Sequence, residues 1–137
     1  MPDKQLRVLV TGSSGLIGRV VVQTLGEKYM FSGLDRARPE QAPDIPTTLA
    51  DVSHFDAIRP AFEGMHTVIH LAADAGMHAP WESVLPNNIV ATYNVFEAAR
   101  QAGVKRLIFA SSNHAVGMLE ADETMPQRPW AHPPGSG

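Results

Sequence analysis

Short apolar runs alternate along the chain with stretches in which apolar residues recur every three or four positions, the pattern of strands laid between helices. Leu6 to Val10 reads as a first buried strand. Gly15 to Glu27 reads as a helix, with Leu16, Val20, Val21 and Leu25 at helical spacing. Tyr29 to Leu34 gives a second strand ending at Asp35. Pro39, Pro43 and Pro46 then make residues 36–47 a loop. A short third strand follows over Thr48 to Ala50. Ser53 is placed to cap a short helix, with Asp56 in capping-box position. Phe55, Ile58 and Phe62 form the stripe of that helix, Pro60 should distort it, and Gly64 ends it.

Thr67 to Leu71 is a fourth strand. In the long segment to Gly103, Leu85, Asn88, Ile89, Thr92, Val95, Phe96 and Ala99 fall on one helical face, with Pro86 at its start or at a kink. Leu107 to Ala110 is a fifth strand. From Met125 onward Pro126, Pro129, Pro133 and Pro134 interrupt any period, so residues 1–124 are expected to form one domain and 125–137 a proline-rich tail. Strands alternating with helices define βαβ units, hence an α/β class with a parallel sheet.

Composition narrows the chemistry. The 137 residues are 44% hydrophobic and 18% charged, enough for one domain with a real core. A net charge of -3 with no basic stripe gives no case for nucleic acid. With no cysteine there is no disulfide, thiolate metal site or cysteine nucleophile. The N-terminus is too polar for a signal peptide, and no stretch reaches the ~20 apolar residues of a membrane span. A cytoplasmic protein without membrane contact is expected.

Gly12, Gly15 and Gly18 stand three apart between the first strand and the first helix. In such a turn the first glycine permits the bend, the second admits a pyrophosphate to the backbone, and the third lets helix pack on strand. The helix N-terminus then offers unpaired N–H groups and partial positive charge to the phosphates. The same glycines could form a turn that holds no ligand. A nucleotide-hydrolase phosphate loop is disfavoured, because no Gly-Lys-Ser/Thr follows. Asp35, about 20 residues further on, ends the second strand where a carboxylate can accept hydrogen bonds from an adenosine ribose. It would repel the 2′-phosphate of NADP and so favour NAD, although Arg36 beside it could pair with that phosphate. Alternatively, Asp35 simply opens the loop.

The run Thr11-Gly12-Ser13-Ser14-Gly15-Leu16-Ile17-Gly18 resembles the TGxxGxxG turn of the extended short-chain dehydrogenases/reductases, the NAD-dependent epimerase/dehydratase family. Further segments match in order. Asp51-Val52 resembles the pair that contacts adenine, and His70-Leu71-Ala72-Ala73 the HLAA segment flanking the cofactor. Asn87 to Ala99 resembles the family's NVxGTxNVLEAA helix, and Phe109-Ala110-Ser111-Ser112 with Gly117 its FSSSxxVYG strand. Asp122-Glu123-Thr124 with Pro126 and Pro129 resembles the loop that follows.

The resemblance implies a Rossmann-type doubly wound sheet of about five strands with helices on both faces, and NAD as cofactor. Gly12, Ser14, Gly15, Leu16, Ile17, Gly18, Asp35, Asp51, Val52, Leu71, Ala72, Ala73 and Asn88 would serve the cofactor. Ser112 would be the catalytic serine, with Asn113 and His114 at the substrate. Ser112-Asn113-His114 is most similar to uronate dehydrogenases, although Asp74-Ala75 stands where those enzymes tend to carry a substrate-binding serine. The implied substrate is a sugar or sugar acid. Asn88 would match the family's water-ordering asparagine, or else simply bond neighbouring backbone at the core edge.

The family's acid/base chemistry uses a Tyr-x-x-x-Lys pair. Tyr29 and Tyr93 are followed four residues later by Gly33 and Glu97, so neither fits. The chain thus resembles an N-terminal half stopping short of the tyrosine helix. It is expected to bind cofactor with little turnover, and to self-associate through uncovered Ile89, Val95 and Phe96 and an open sheet edge. A non-catalytic, NAD(P)-binding regulatory module is the alternative. His66 and His70 flank a strand and suit packing better than a shared metal. Trp81 and Trp130 could line a substrate pocket or pack loops onto the body.

Overall fold

A computed structural model of the chain describes residues 5–112 and Ala115. Asn113, His114, Trp130 and the proline-rich tail lie outside the described residues. Five strands form one parallel sheet: β1 (Arg7–Thr11), β2 (Met30–Asp35), β3 (Thr47–Leu49), β4 (Thr67–His70) and β5 (Arg106–Phe109). Their spatial order is β3-β2-β1-β4-β5. Val10 of β1 lies opposite Gly33 on one side and Ile69 on the other.

This order fixes where the helices go. Right-handed crossovers that step from β1 toward β2 and from β4 toward β5 must lie on opposite faces of the sheet. Helix α1 (Leu16–Leu25) accordingly covers one face, where Val8, Val10, Val22 and Phe31 are buried together. The other face carries α2 (Phe55–Ile58) and, beyond the short α3 (Trp81–Val84), the longer α4 (Ala91–Gln101). There Leu9, Leu34 and Val68 pack with Ile58, Phe62, Val95, Ala98 and Ala99. Alternate residues of β1 thus serve opposite cores, the period of two that a strand covered on both sides requires.

Pro60 has the effect its position predicts: α2 ends at Ile58 and the chain tightens into a 3₁₀ turn over Arg59–Phe62. Ser53, however, is not the cap of α2. The N-cap is His54, and the Ser53 hydroxyl donates instead to Asp51 Oδ1 at 2.7 Å. That same oxygen takes the Ser53 N–H at 2.8 Å, so a local turn captures the side chain that would have capped the helix.

Two expected stripes shift. On α1 the buried residues are Gly18 and Val22, while Leu16 and Val20 are exposed. The long segment after β4 begins at Trp81, and Pro86 lies inside it. A proline there cannot donate to the preceding turn, and the chain widens into π-helical turns over Leu85–Val90. The wider turns rotate everything downstream out of a strict 3.6-residue phase. Ala91, Asn94, Val95, Ala98 and Ala99 therefore face the core. Ile89 and Phe96, expected on the same face as Val95, are exposed.

Candidate functional site

The strand order reverses direction between β1 and β4, and the carboxyl ends of strands flanking such a point form a crevice suited to ligands. A cleft of about 320 Å³ opens there. Its walls come from the glycine turn (Gly12, Ser14, Gly15), the end of β2 with the following loop (Asp35 to Ala37, and Pro39), and Ala50 and Val52. Leu71, Ala72 and Ala73 after β4 form the facing wall, with Asn87 at its edge.

The glycines act differently. Gly12 has φ +70°, the left-handed region open mainly to glycine. A Cβ there would stand 2.9 Å from the Ala72 nitrogen, so the turn lies directly on the segment after β4. Gly15 lines the cleft and caps α1 with no side-chain hydrogen bond. No acidic residue occupies the first turn of α1. The positive end of this helix is therefore left for an anion from outside. Gly18 is buried beneath the turn, where a Cβ would come 2.5 Å from the Gly12 carbonyl oxygen. Its role is close packing, and Leu16 and Ile17 stand exposed at the head of the helix.

Asp35 closes the other end of the turn. Its Oδ2 accepts the Ser14 N–H at 2.9 Å and its Oδ1 the Arg36 N–H at 2.7 Å. A carboxylate has about four acceptor positions, so two remain for hydroxyl donors in the cleft. Ser14 also donates its hydroxyl to the Ala37 carbonyl at 3.2 Å. Asp51 is engaged with Ser53, whose N–H and hydroxyl hold its pKa below the usual carboxylate value. Val52, next to it, presents the apolar wall.

Asn88 does not reach the cleft. Its Oδ1 accepts the Asp74 N–H at 2.7 Å, and its Nδ2 donates to the Asp74 carbonyl at 2.9 Å. The carboxylate of Asp74 accepts the Ser83 hydroxyl and the Gly76 N–H, which lower its pKa in that order. Asn87 donates to the Ser83 carbonyl at 2.9 Å and lines the cleft. Sequence reasoning passed over Asn87, along with Ala37, Pro39 and Ala50. Adjacent asparagines beside Pro86 were the available signal, since the π-helical register sends one to the loop and the other to the cleft.

Among the other candidates, His70 is buried in the core, and burial lowers its pKa to about 4. His66 bonds Thr67 Oγ1 at 2.9 Å. No cluster of three or more metal-ligating side chains occurs among the described residues. Trp81 is exposed and lies outside the cleft wall. Ser112 follows β5, and its carbonyl accepts the Ala115 N–H at 3.2 Å. Tyr29 precedes β2 at the opposite end of the sheet, edge-on to Phe31, and Tyr93 is exposed on α4. Among the described residues no helix is long and apolar enough to cross a membrane.

A parallel sheet in this order, with a glycine turn between β1 and α1 and an acid ending β2, is a Rossmann-type dinucleotide-binding fold. Residues 8–136 match the NAD dependent epimerase/dehydratase family, and the chain belongs to it. It is 44% identical over 125 residues to the NAD-dependent glucose-6-phosphate dehydrogenase of Haloferax volcanii, covering 87% of this chain and 48% of that one. It is 41% identical over 122 residues to the L-arabinose 1-dehydrogenase (NAD(P)(+)) of the same organism, covering 88% and 47%. A solved structure of uronate dehydrogenase from Agrobacterium tumefaciens, a mutant complexed with NAD, superposes with a TM-score of 0.72 at 33% identity. That match covers 81% of this chain and 42% of the other. The chain spans about half the length of the curated relatives it matches.

Proposed function

We propose that this chain is the NAD-binding domain of an oxidoreductase acting on a hydroxyl of a sugar or sugar acid. The observation that carries the reading is the joint geometry of the glycine turn and Asp35. An uncapped helix end at Gly15 suits a pyrophosphate, and a carboxylate with two acceptor positions left suits a ribose diol. Gly12, Ser14 and Gly15 would hold the pyrophosphate, Asp35 the adenosine ribose, and Val52 with Leu71 to Ala73 the apolar surfaces. Bound NAD supplies a hydride acceptor.

Gly18 contributes by letting α1 approach, and Asp51 and Asn88 by shaping the loops behind the cleft. Leu16 and Ile17 would border the cofactor from the head of α1. Ser112, with Asn113 and His114, would meet the substrate beyond β5. Neither Tyr29 nor Tyr93 stands at the cleft, so the acid/base step falls to groups other than these two. The relatives described above are sugar or uronate dehydrogenases, which favours this reading over a non-catalytic regulatory module. Neutral aldoses and uronates are both within the proposed substrate class, and NADP is the weaker cofactor because of the Asp35 charge. Self-association through the exposed Ile89 and Phe96 surface belongs to the same proposal.

Calorimetric titration of the 137-residue chain with NAD and with NADP tests it. Binding of NAD, tighter than NADP, is expected. At 100 times the dissociation constant NAD should stabilise the fold by ~2.7 kcal/mol. A folded chain that binds neither dinucleotide would overturn the reading.

A further inference from the structure

The amino-terminal part of the sheet borders a second cavity, of about 270 Å³, that shares no lining residue with the dinucleotide cleft. It lies between the sheet and the 3₁₀ turn at Pro60 and Ala61, with Leu9 and Met65 among its apolar walls. Strand alternation decides which polar side chains enter it. Val8 and Val10 are buried on the α1 side, so Arg7 shares the opposite face with Leu9. Phe31 is likewise on the α1 side, which puts Ser32 on the face of Leu34. The Thr47 hydroxyl lies against Gly33 beside that of Ser13, and Thr48 therefore turns the other way. Arg7, Ser32 and Thr48 thus stand on one face of the adjacent strands β1, β2 and β3, and all three line the cavity. Among the described residues, none of these side chains makes a hydrogen bond or ion pair. The Arg7 guanidinium lies over Gly64, where a built Cβ would stand 2.7 Å from Nη1. Glu63, the one acid in the lining, is exposed and forms no ion pair with it.

We propose that this cavity binds a small phosphorylated, hydroxylated compound, at a site separate from cofactor and substrate. A guanidinium with no acid paired to it selects an oxyanion, which it can hold through two parallel N–H donors. Ser32 is one strand over, opposite Leu9 in the register, and its hydroxyl adds a donor to the same group. Thr48 is two strands from Arg7, about 10 Å across the sheet, which exceeds the span of a single phosphate. Its hydroxyl both donates and accepts, so it suits a hydroxyl on the body of the ligand. Leu9, Ala61 and Met65 cover the carbon chain between the two ends. The volume lies below the roughly 300–1,000 Å³ of drug-sized pockets, which limits that chain to a few carbons. The proposal is independent of the cofactor reading, since the two sites have no residue in common.

Amide spectra of the full 137-residue chain, titrated with inorganic phosphate, glycerol 3-phosphate and acetate, test it. Glycerol 3-phosphate should shift the amides of Ser32, Thr48 and residues 63–65. It should bind about 2- to 10-fold more tightly than inorganic phosphate, because a hydroxyl adds one hydrogen bond to Thr48. Acetate should bind more weakly than either. Arg7→Gln should weaken both phosphates by about tenfold or more. Glu63→Gln removes a like charge and should tighten them by up to about fivefold. Thr48→Val should bring glycerol 3-phosphate down to the affinity of inorganic phosphate. Absence of shifts at Ser32 and Thr48, shifts confined to the glycine turn at residues 12–15, or acetate as tight as the phosphates would overturn the site. So would unchanged affinity in a folded Arg7→Gln chain. If Arg7→Gln does not fold, the position of the wild-type shifts and the Glu63→Gln titration still decide the matter.

Discussion

Asp35 Oδ2 accepts the Ser14 N–H at 2.9 Å, so the end of β2 grips the turn that follows β1. One carboxylate thereby shapes the glycine turn and faces the cleft with its remaining lone pairs. Asp35→Asn keeps the side-chain shape and removes the charge. Charge-assisted hydrogen bonds contribute about 1.5–3 kcal/mol, so NAD affinity should fall by at least about tenfold. NADP should lose less, since repulsion of its 2′-phosphate goes with the charge. Parallel titrations with the two dinucleotides give the ratio, and an unchanged ratio would rule out Asp35 as the discriminating group.

The close approach of Gly18 to Gly12 makes a sharper packing prediction. A Cβ at Gly18 would meet the Gly12 carbonyl oxygen at 2.5 Å and the Ser13 Cα at 2.8 Å, both backbone atoms that cannot rotate away. Gly18→Ala should destabilise the fold by about 1–3 kcal/mol, the usual range for overpacking. Gly103 is the control. It has φ +72° with nothing within 4 Å of a built Cβ, so alanine there meets only backbone strain of about 1–2 kcal/mol. Denaturant unfolding measures both. The comparison that matters is dinucleotide binding, which Gly18→Ala should impair and Gly103→Ala should not.

Most of this architecture was readable in the chain because a parallel sheet buried on both faces writes its strands as apolar runs. Each of the five strands lies within a residue or so of its expected place. The placement of the glycines between β1 and α1 and of Asp35 at the end of β2 was equally legible, since a positive φ and close backbone packing restrict such turn positions to glycine. Two features were not. The face of α4 depends on the π-helical turns at Pro86, and a phase change inside a helix leaves no mark on a search for one constant period. Asn87 lines the cleft, and Asn88 takes the second of its two expected places, bonded to neighbouring backbone at Asp74. The cap of α2 differs because a local turn holds the Ser53 hydroxyl on Asp51 and the helix begins one residue later, with His54 as its N-cap.

Asn88 clamps the loop after β4 through both halves of its amide, to the N–H and the carbonyl of Asp74. Asn88→Ala leaves both backbone groups without those partners in a half-buried setting, at a cost of about 1–3 kcal/mol. Asn88→Asp retains the acceptor and loses the donor, so it should fall between wild type and alanine. Thermal melts of the three chains check the order. Equal stability of all three would mean that water replaces the clamp.

Acid should weaken the fold in two stages. His70 titrates near 4 in the folded chain against 6.5 for an ordinary histidine, because burial disfavours the imidazolium. Between those values the unfolded chain binds the extra proton and the folded chain does not, so stability rises with pH across that window. The contribution is complete above about 6.5 and lost as pH falls toward 4, amounting to at most about 3 kcal/mol. Below that, Asp51 and Asp74, both with lowered pKa values, withdraw their own support as they protonate. Urea unfolding at a series of pH values measures the slope, and His70→Gln should flatten it between 6.5 and 4. A variant as steep as wild type would assign the slope to other groups.

The outer side of α4 supplies the last test. Phe96 is 47% exposed and meets Phe109, 46% exposed, edge-on with ring centroids 6.1 Å apart. Ile89 and Ile108 extend the apolar surface, and β5 is an edge strand with nothing paired on its far side among the described residues. An exposed strand edge next to an apolar patch favours association, through backbone pairing and through burial at about 25 cal/mol per Å². The 137-residue chain should therefore elute larger than a monomer in concentration-dependent gel filtration. Phe96→Glu places a charge in the middle of the patch and should shift the equilibrium toward monomer. Because Phe96 lies outside the core and away from the cleft, NAD affinity should be unaffected by that substitution. A wild-type chain that stays monomeric at high concentration would remove the case for this surface as a contact.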